Sequence, residues 1–223
     1  MRARDKAIID DLARFRVMSR DDIADIHFSG VKSPENGANS VLKRLHRDRL
    51  IERSNKFVPF VYMPADKSLK KDSAKIPHFL ELVQVYRQMI RYKKPKIFRV
   101  EPKLGPKTHF AEPDIFAIWR GGVFWIEVQR SLYSEAVMAE KIARYESYVL
   151  SELWKAESWQ PEGRAPILPV LLIITPHIYG VRSLHINIVE TGSIDELVVK
   201  AGEQRKPEVR RAAGAGGIKM DLR

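Results

Sequence analysis

Residues 168–174, Leu-Pro-Val-Leu-Leu-Ile-Ile, form an almost unbroken apolar run. A strand points successive side chains to opposite faces, so a run without polar alternation has no face to give to water. It has to lie inside a sheet that is covered on both sides, which requires helices around it. The neighbouring segments supply them. A proline-initiated amphipathic helix is expected over 77–92, with Phe79, Leu80, Leu82, Val83, Tyr86 and Ile90 inward, stopped by a basic stretch containing Pro95. Short strands follow at 97–100, 114–119 and 123–128, the last two joined through Arg120-Gly121-Gly122, where the glycine pair suits a tight hairpin. A second long helix is expected over 134–154, carrying Val137, Ile142, Tyr145, Val149 and Leu153, and a further strand over 184–189. The order helix, three strands, helix, strand, strand makes a mixed α/β layer fold over residues 77–200.

The N-terminal part has another rhythm. Ile8, Ile9, Leu12 and Phe15 mark a helix over 4–15; Ser19 and Asp22 form a capping box for a short helix ending near His27. Ser33 as N-cap and Pro34 at the first position open a third helix, with Ala38, Val41, Leu42 and Leu45 buried. Residues 50–53 and 57–62 read as a hairpin around a turn at 54–56, with Pro59 confining the second strand to an edge or bulge. Three short helices and a hairpin are the order of a winged helix-turn-helix, assigned to residues 1–64. The third helix turns Asn36, Asn39, Ser40, Lys43 and Arg47 outward with Arg44 at the margin, and the hairpin offers Arg53 and Lys56. Asparagine can pair with adenine, and lysine or arginine with guanine or phosphate, so these residues form a candidate reading face for duplex DNA.

Charge agrees with a polyanionic partner: 39 Lys and Arg stand against 28 Asp and Glu, a net charge of +11. The sequence lacks cysteine, which excludes disulfides, thiolate metal sites and thiol nucleophiles. No transmembrane run and no signal segment are read, so a cytoplasmic location and no membrane partner are expected. Residues 65–76 read as a lysine-rich linker and 201–223 as a flexible basic tail.

The chemistry-bearing stretch is 112–130. Asp114 opens one strand of the hairpin and Glu127 lies near the far end of its partner, so antiparallel pairing brings both carboxylates to one end of the ribbon. Gln129 shares a face with Glu127. Acidic side chains converging inside apolar strands are costly unless a cation or hydrogen bonds occupy them. Magnesium is the natural cation for such oxygens, with phosphoryl transfer as the matching chemistry.

Pro113-Asp114, the hairpin, then Glu127 and Gln129 resemble the signature of the PD-(D/E)xK, restriction-endonuclease-like superfamily, with glutamine where lysine is usual. The resemblance implies catalytic positions at Asp114, Glu127 and Gln129, a positive charge supplied by Lys141 from the next helix, and a metal held by Asp114, Glu127 and Glu81. With the winged helix, Phe124 to Arg130 and the Lys141-x-x-x-Tyr145 spacing included, the chain is similar over residues 7–175 to the replication-relaxation proteins of Gram-positive plasmids and mobile elements. This implies double-stranded DNA as partner, with a second copy of the chain and replication or relaxation proteins as further candidates. Three functions stay open to these residues: a DNA-binding protein whose nuclease-like domain is inactive, an active magnesium-dependent nuclease, or a protein-interaction module.

Overall fold

The N-terminal helices form as capping and periodicity dictate. The structure, a computed structural model, describes residues 1–66, 69–106 and 108–203; the segment 204–223, most of the expected tail, lies outside them. Helix α1 (Ala3–Phe15) buries Ile8, Leu12 and Phe15. A two-residue strand β1 (Met18–Ser19) leads into α2 (Arg20–His27), where the Ser19 hydroxyl accepts from the Asp22 amide at 3.1 Å and the Asp22 carboxylate accepts from the Ser19 amide at 2.9 Å. Helix α3 (Pro34–Arg47) starts at its proline, but the Ser33 side chain makes no capping bond. The fixed φ of Pro34 sets the start without it.

The hairpin departs from expectation. Strand β2 (Ile51–Ser54) pairs with β3 (Val61–Pro64), from Ile51 opposite Pro64 to Ser54 opposite Val61. The turn is therefore a loop over 55–60, and residues 57–60 are not part of a strand. Pro59 cannot donate to a ladder, and regular pairing resumes only where Val61, Tyr62 and Met63 enter the core. Strand β1 adds to the other edge of β3, giving the order β1-β3-β2.

Helix α4 (Ile76–Tyr92) then packs on a five-stranded sheet of order β4 (Ile97–Val100), β5 (Ile115–Trp119), β6 (Gly122–Val128), β7 (Val170–Ile174), β8 (Ile188–Thr191). The first three strands are antiparallel, and β7 and β8 continue parallel to β6. The β5–β6 turn is Arg120-Gly121, both at positive φ, while Gly122 already pairs with Trp119. A two-residue loop with both φ positive matches the strand twist.

The sheet is covered on both faces, as its apolar strands require. Ile115, Ala117, Ile126, Leu172 and Ile174 join α4 and the N-terminal helices in one continuous core. Phe116, Trp125, Leu171 and Ile173 face α5 (Glu135–Leu150). The buried stripe of α5 is Met138, Ile142, Tyr145 and Tyr148, whereas Val137 and Leu153 are about half exposed; the helix also ends at Leu150, before a 3-10 turn at Leu153–Ala156. Ile142 and Tyr145 are buried as expected, and Met138 and Tyr148 join them, with Tyr145 and Tyr148 packed against Trp125. Helix α6 (Ile194–Glu203) was not anticipated; it buries Ile194 against the α4 side. Strand β8 starts at Ile188, and Leu184, expected within it, is 98% exposed.

Polar contacts tie the N-terminal elements to the rest, beside the core they share. Asp22, buried, accepts from Gln84 Nε2 at 2.8 Å and Arg87 Nη1 at 2.9 Å on α4. In the segment joining β3 to α4, the carbonyl of Lys71 accepts from Ser54 Oγ at 2.7 Å, and the Lys71 ammonium lies 2.6 Å from Glu52. Among the described residues no helix is long and apolar enough to cross a membrane.

Candidate functional site

The outward face of α3 carries Asn36, Asn39, Ser40, Lys43 and Arg47, all exposed. They are not equally available. Ser40 Oγ donates back to the Asn36 carbonyl at 2.9 Å, and Arg47 is paired with Asp48 at 2.8 Å. Arg44 turns the other way: its guanidinium lies 2.8 Å from the buried carboxylate of Asp5 on α1 and holds that carboxyl below its usual pKa. Lys43 has no ion-pair partner among the described residues. In the hairpin, Arg53 stacks on Phe60 with 4.6 Å between guanidinium carbon and ring centre, and Lys56 lies 3.2 Å from Asp72. Asn36, Asn39 and Lys43 are thus the freest of the eight predicted contacts, and Arg44 the most committed to the fold.

The second constellation lies at the end of the β5–β6 ribbon. Ile115 pairs with Ile126, so the next step along the two strands sets Asp114 opposite Glu127. Asp114 Oδ2 accepts from the Val128 amide at 2.7 Å and Oδ1 lies 3.1 Å from His78 Nε2 on α4. Glu127, on the α5 face of the sheet, has both of its oxygens met by one side of that helix. Lys141 Nζ donates to Oε2 at 2.5 Å and the Tyr145 hydroxyl donates to Oε1 at 2.6 Å. Residues four apart lie on one side of a helix, which is why the Lys-x-x-x-Tyr spacing can grip one carboxylate.

These contacts set the electrostatics. Burial raises the Glu127 carboxyl to about 7, with the Asp114 charge pushing the same way, against the pull of Lys141 and Tyr145. For Asp114 burial also opposes ionisation, but His78, the Val128 amide and Lys141 outweigh it and leave the carboxyl below its usual value. His78 is raised by its hydrogen bond to Asp114, and Tyr145 is raised well above an ordinary phenol by burial and by Glu127. Asp114, Glu127 and Lys141 line a cleft of about 640 Å³ whose walls mix Arg16, Lys75, Lys103 and Arg144 with Glu101, Glu112 and Glu140. A groove of about 750 Å³ on the flank of α5, lined by Met138, Ile142 and Tyr179, is larger but contains none of Asp114, Glu127 or Lys141.

The other predicted site residues are separated from this cleft. Gln129 does lie on the α5 side, as its spacing from Glu127 requires, but it is buried against Met138, and its Oε1 has no hydrogen-bond partner among the described residues. Glu81 is paired with Arg130 at 2.8 Å and does not line the cleft. Its place beside Asp114 is taken by His78, one turn earlier on the same helix. The sequence held that signal in the three-residue spacing of His78 and Glu81, which puts both on one side of α4.

As arranged, the donor set is engaged within the protein and not held open toward a divalent cation. Each of the four carboxylate oxygens of Asp114 and Glu127 already has a hydrogen-bonding neighbour, and the ammonium of Lys141 supplies the positive charge that a metal would bring. No group of three or more His, Asp or Glu side chains converges to ligand geometry among the described residues.

Compared with family models, with curated proteins and with solved structures, the chain matches none.

Proposed function

We propose that this chain binds duplex DNA through the exposed face of α3, acting as a winged-helix protein whose α/β body is of the restriction-endonuclease-like kind. The observation that carries the reading is the free polar stripe of Asn36, Asn39 and Lys43 on a helix whose opposite side is fully buried. The order α1, β1, α2, α3, β2, β3, with the small sheet paired β1-β3-β2, supports a winged helix-turn-helix. The order α4, β4, β5, β6, α5, β7 supports the nuclease-like body, and a net charge of +11 supports a polyanionic partner. The resemblance to replication-relaxation proteins would set this binding in plasmid or mobile-element replication or its control. The test is titration of the purified protein with duplex DNA at several salt concentrations. Phosphate contacts impose a steep loss of affinity as salt rises. Tight binding to unrelated proteins with no salt-sensitive DNA affinity would replace this reading with an interaction module.

The meeting of Asp114, Glu127 and Lys141 in an open cleft favours a second reading, hydrolysis of a phosphodiester there. Strand scission that disappears in Glu127→Gln while DNA binding is retained would establish it.

A further inference from the structure

The carboxylates of Asp114 and Glu127 face one another at a sheet end, an arrangement that ordinarily calls for a cation between or beside them. What stands there is an ammonium. Lys141 Nζ is 2.5 Å from Glu127 Oε2, and its side chain is 27% exposed, reaching the carboxylate from the cleft side. The opposite side of Glu127 is closed by Tyr145, which donates to Oε1 and is fully buried. Asp114 is likewise held from two sides, by the Val128 amide and by His78.

We propose that Lys141 is the resident cation of this site: the intact protein does not take up a divalent cation at Asp114 and Glu127, and removing the ammonium opens the pair to one. The physical basis is exclusion by charge and by occupancy. A divalent ion approaching Glu127 from the cleft meets a unit positive charge already in contact with the oxygen it needs. At contact range, and away from bulk water, that repulsion is only weakly screened. A lysine fixed by a neighbouring carboxylate on a packed helix cannot withdraw without leaving Glu127 a buried charge with one donor fewer. With Lys141 replaced by an apolar residue, two carboxylates remain facing the cleft, and an oxygen-seeking ion such as magnesium, manganese or calcium can replace the lost charge.

The experiment is thermal unfolding of the wild type, Lys141→Met and Lys141→Met/Glu127→Gln, each with magnesium, manganese or calcium chloride at pH 8. Potassium chloride at matched ionic strength is the control. A ligand that binds only the folded form raises the melting temperature. The wild type should be indifferent, the single variant should gain several degrees, and the double variant should lose that gain. A wild-type rise that vanishes in Glu127→Gln would overturn the proposal, as would a folded Lys141→Met that ignores all three ions. Should Lys141→Met fail to fold, manganese titration of the wild type followed by water-proton relaxation still decides. Binding that Glu127→Gln abolishes overturns the proposal, and its absence upholds the exclusion.

Discussion

The ammonium of Lys141 lies 2.5 Å from Glu127 Oε2, and this contact joins α5 directly to β6 across a layer boundary. Tyr145 completes the grip one turn later on the same helix. The cluster is a structural joint as well as a candidate site, so substitutions in it act on stability and on chemistry together.

The Glu127 carboxyl, raised to about 7 from an ordinary 4.5, gives a pH dependence with a defined sign. The folded protein holds this proton more tightly than the unfolded chain, so the contribution is fully present below about 4.5 and is lost as pH rises through 7. Glu127→Gln cannot ionise and lacks that loss. Its melting temperature should therefore gain on the wild type between pH 4.5 and 7 and run parallel to it above. The span corresponds to on the order of 3 kcal/mol at most. Parallel curves over the whole range would mean that Glu127 titrates normally.

Gln129 Oε1 is buried without a partner, which carries a desolvation cost with no hydrogen bond to offset it. Gln129→Leu should leave stability unchanged or raise it by up to about 1 kcal/mol. Urea unfolding checks this, and a loss above that size would show that the amide is satisfied in solution.

Asp22 serves two elements at once, as the capping carboxylate of α2 and as acceptor for Gln84 and Arg87 on α4. Asp22→Ala removes a buried charge-assisted network, and the cost should be about 2–4 kcal/mol. Hydrogen exchange should quicken in α2 and at the middle of α4 together. Quickening in α2 alone would reduce Asp22 to a cap.

On α3, Arg44 serves the fold, and Lys43 the proposed contact with DNA. The Arg44 guanidinium neutralises the buried Asp5, so Arg44→Ala should lower the melting temperature by a few degrees. Its effect on DNA affinity should disappear once the folded fraction is accounted for. Lys43→Ala should do the reverse, leaving the melting temperature within about a degree.

Much of this architecture was legible in the sequence because it rests on local chemistry. The Ser19-Asp22 capping box, the proline starts of α3 and α4, and the apolar β7 each impose their element whatever surrounds them. That Asp114 and Glu127 lie near one end of the ribbon was legible from the hairpin, but their direct pairing was not: a turn at Gly121-Gly122 would set Asp114 opposite Gln129, and the turn at Arg120-Gly121 sets it opposite Glu127. What else escaped was decided by packing between elements. The burial of Tyr148 on α5, while Val137 and Leu153 stay half exposed, follows from Trp125 lying opposite it. The choice of His78 over Glu81 beside Asp114 depends on how α4 is rotated on the sheet, and Arg130 draws Glu81 away. Such choices turn on long-range partners that no local spacing records.

Whether α3 contacts the bases of duplex DNA is decided by comparing specific and random duplexes for the wild type, Asn39→Ala and Lys43→Ala. Footprinting first identifies the preferred site, and affinities are then measured across a salt series. Asn39→Ala is predicted to weaken the preferred site by about 1–3 kcal/mol while sparing random DNA, because a lost base contact removes discrimination. Lys43→Ala should weaken the preferred site more than the random duplex for the same reason. Equal affinity of both variants and the wild type for both duplexes at every salt concentration would contradict the account.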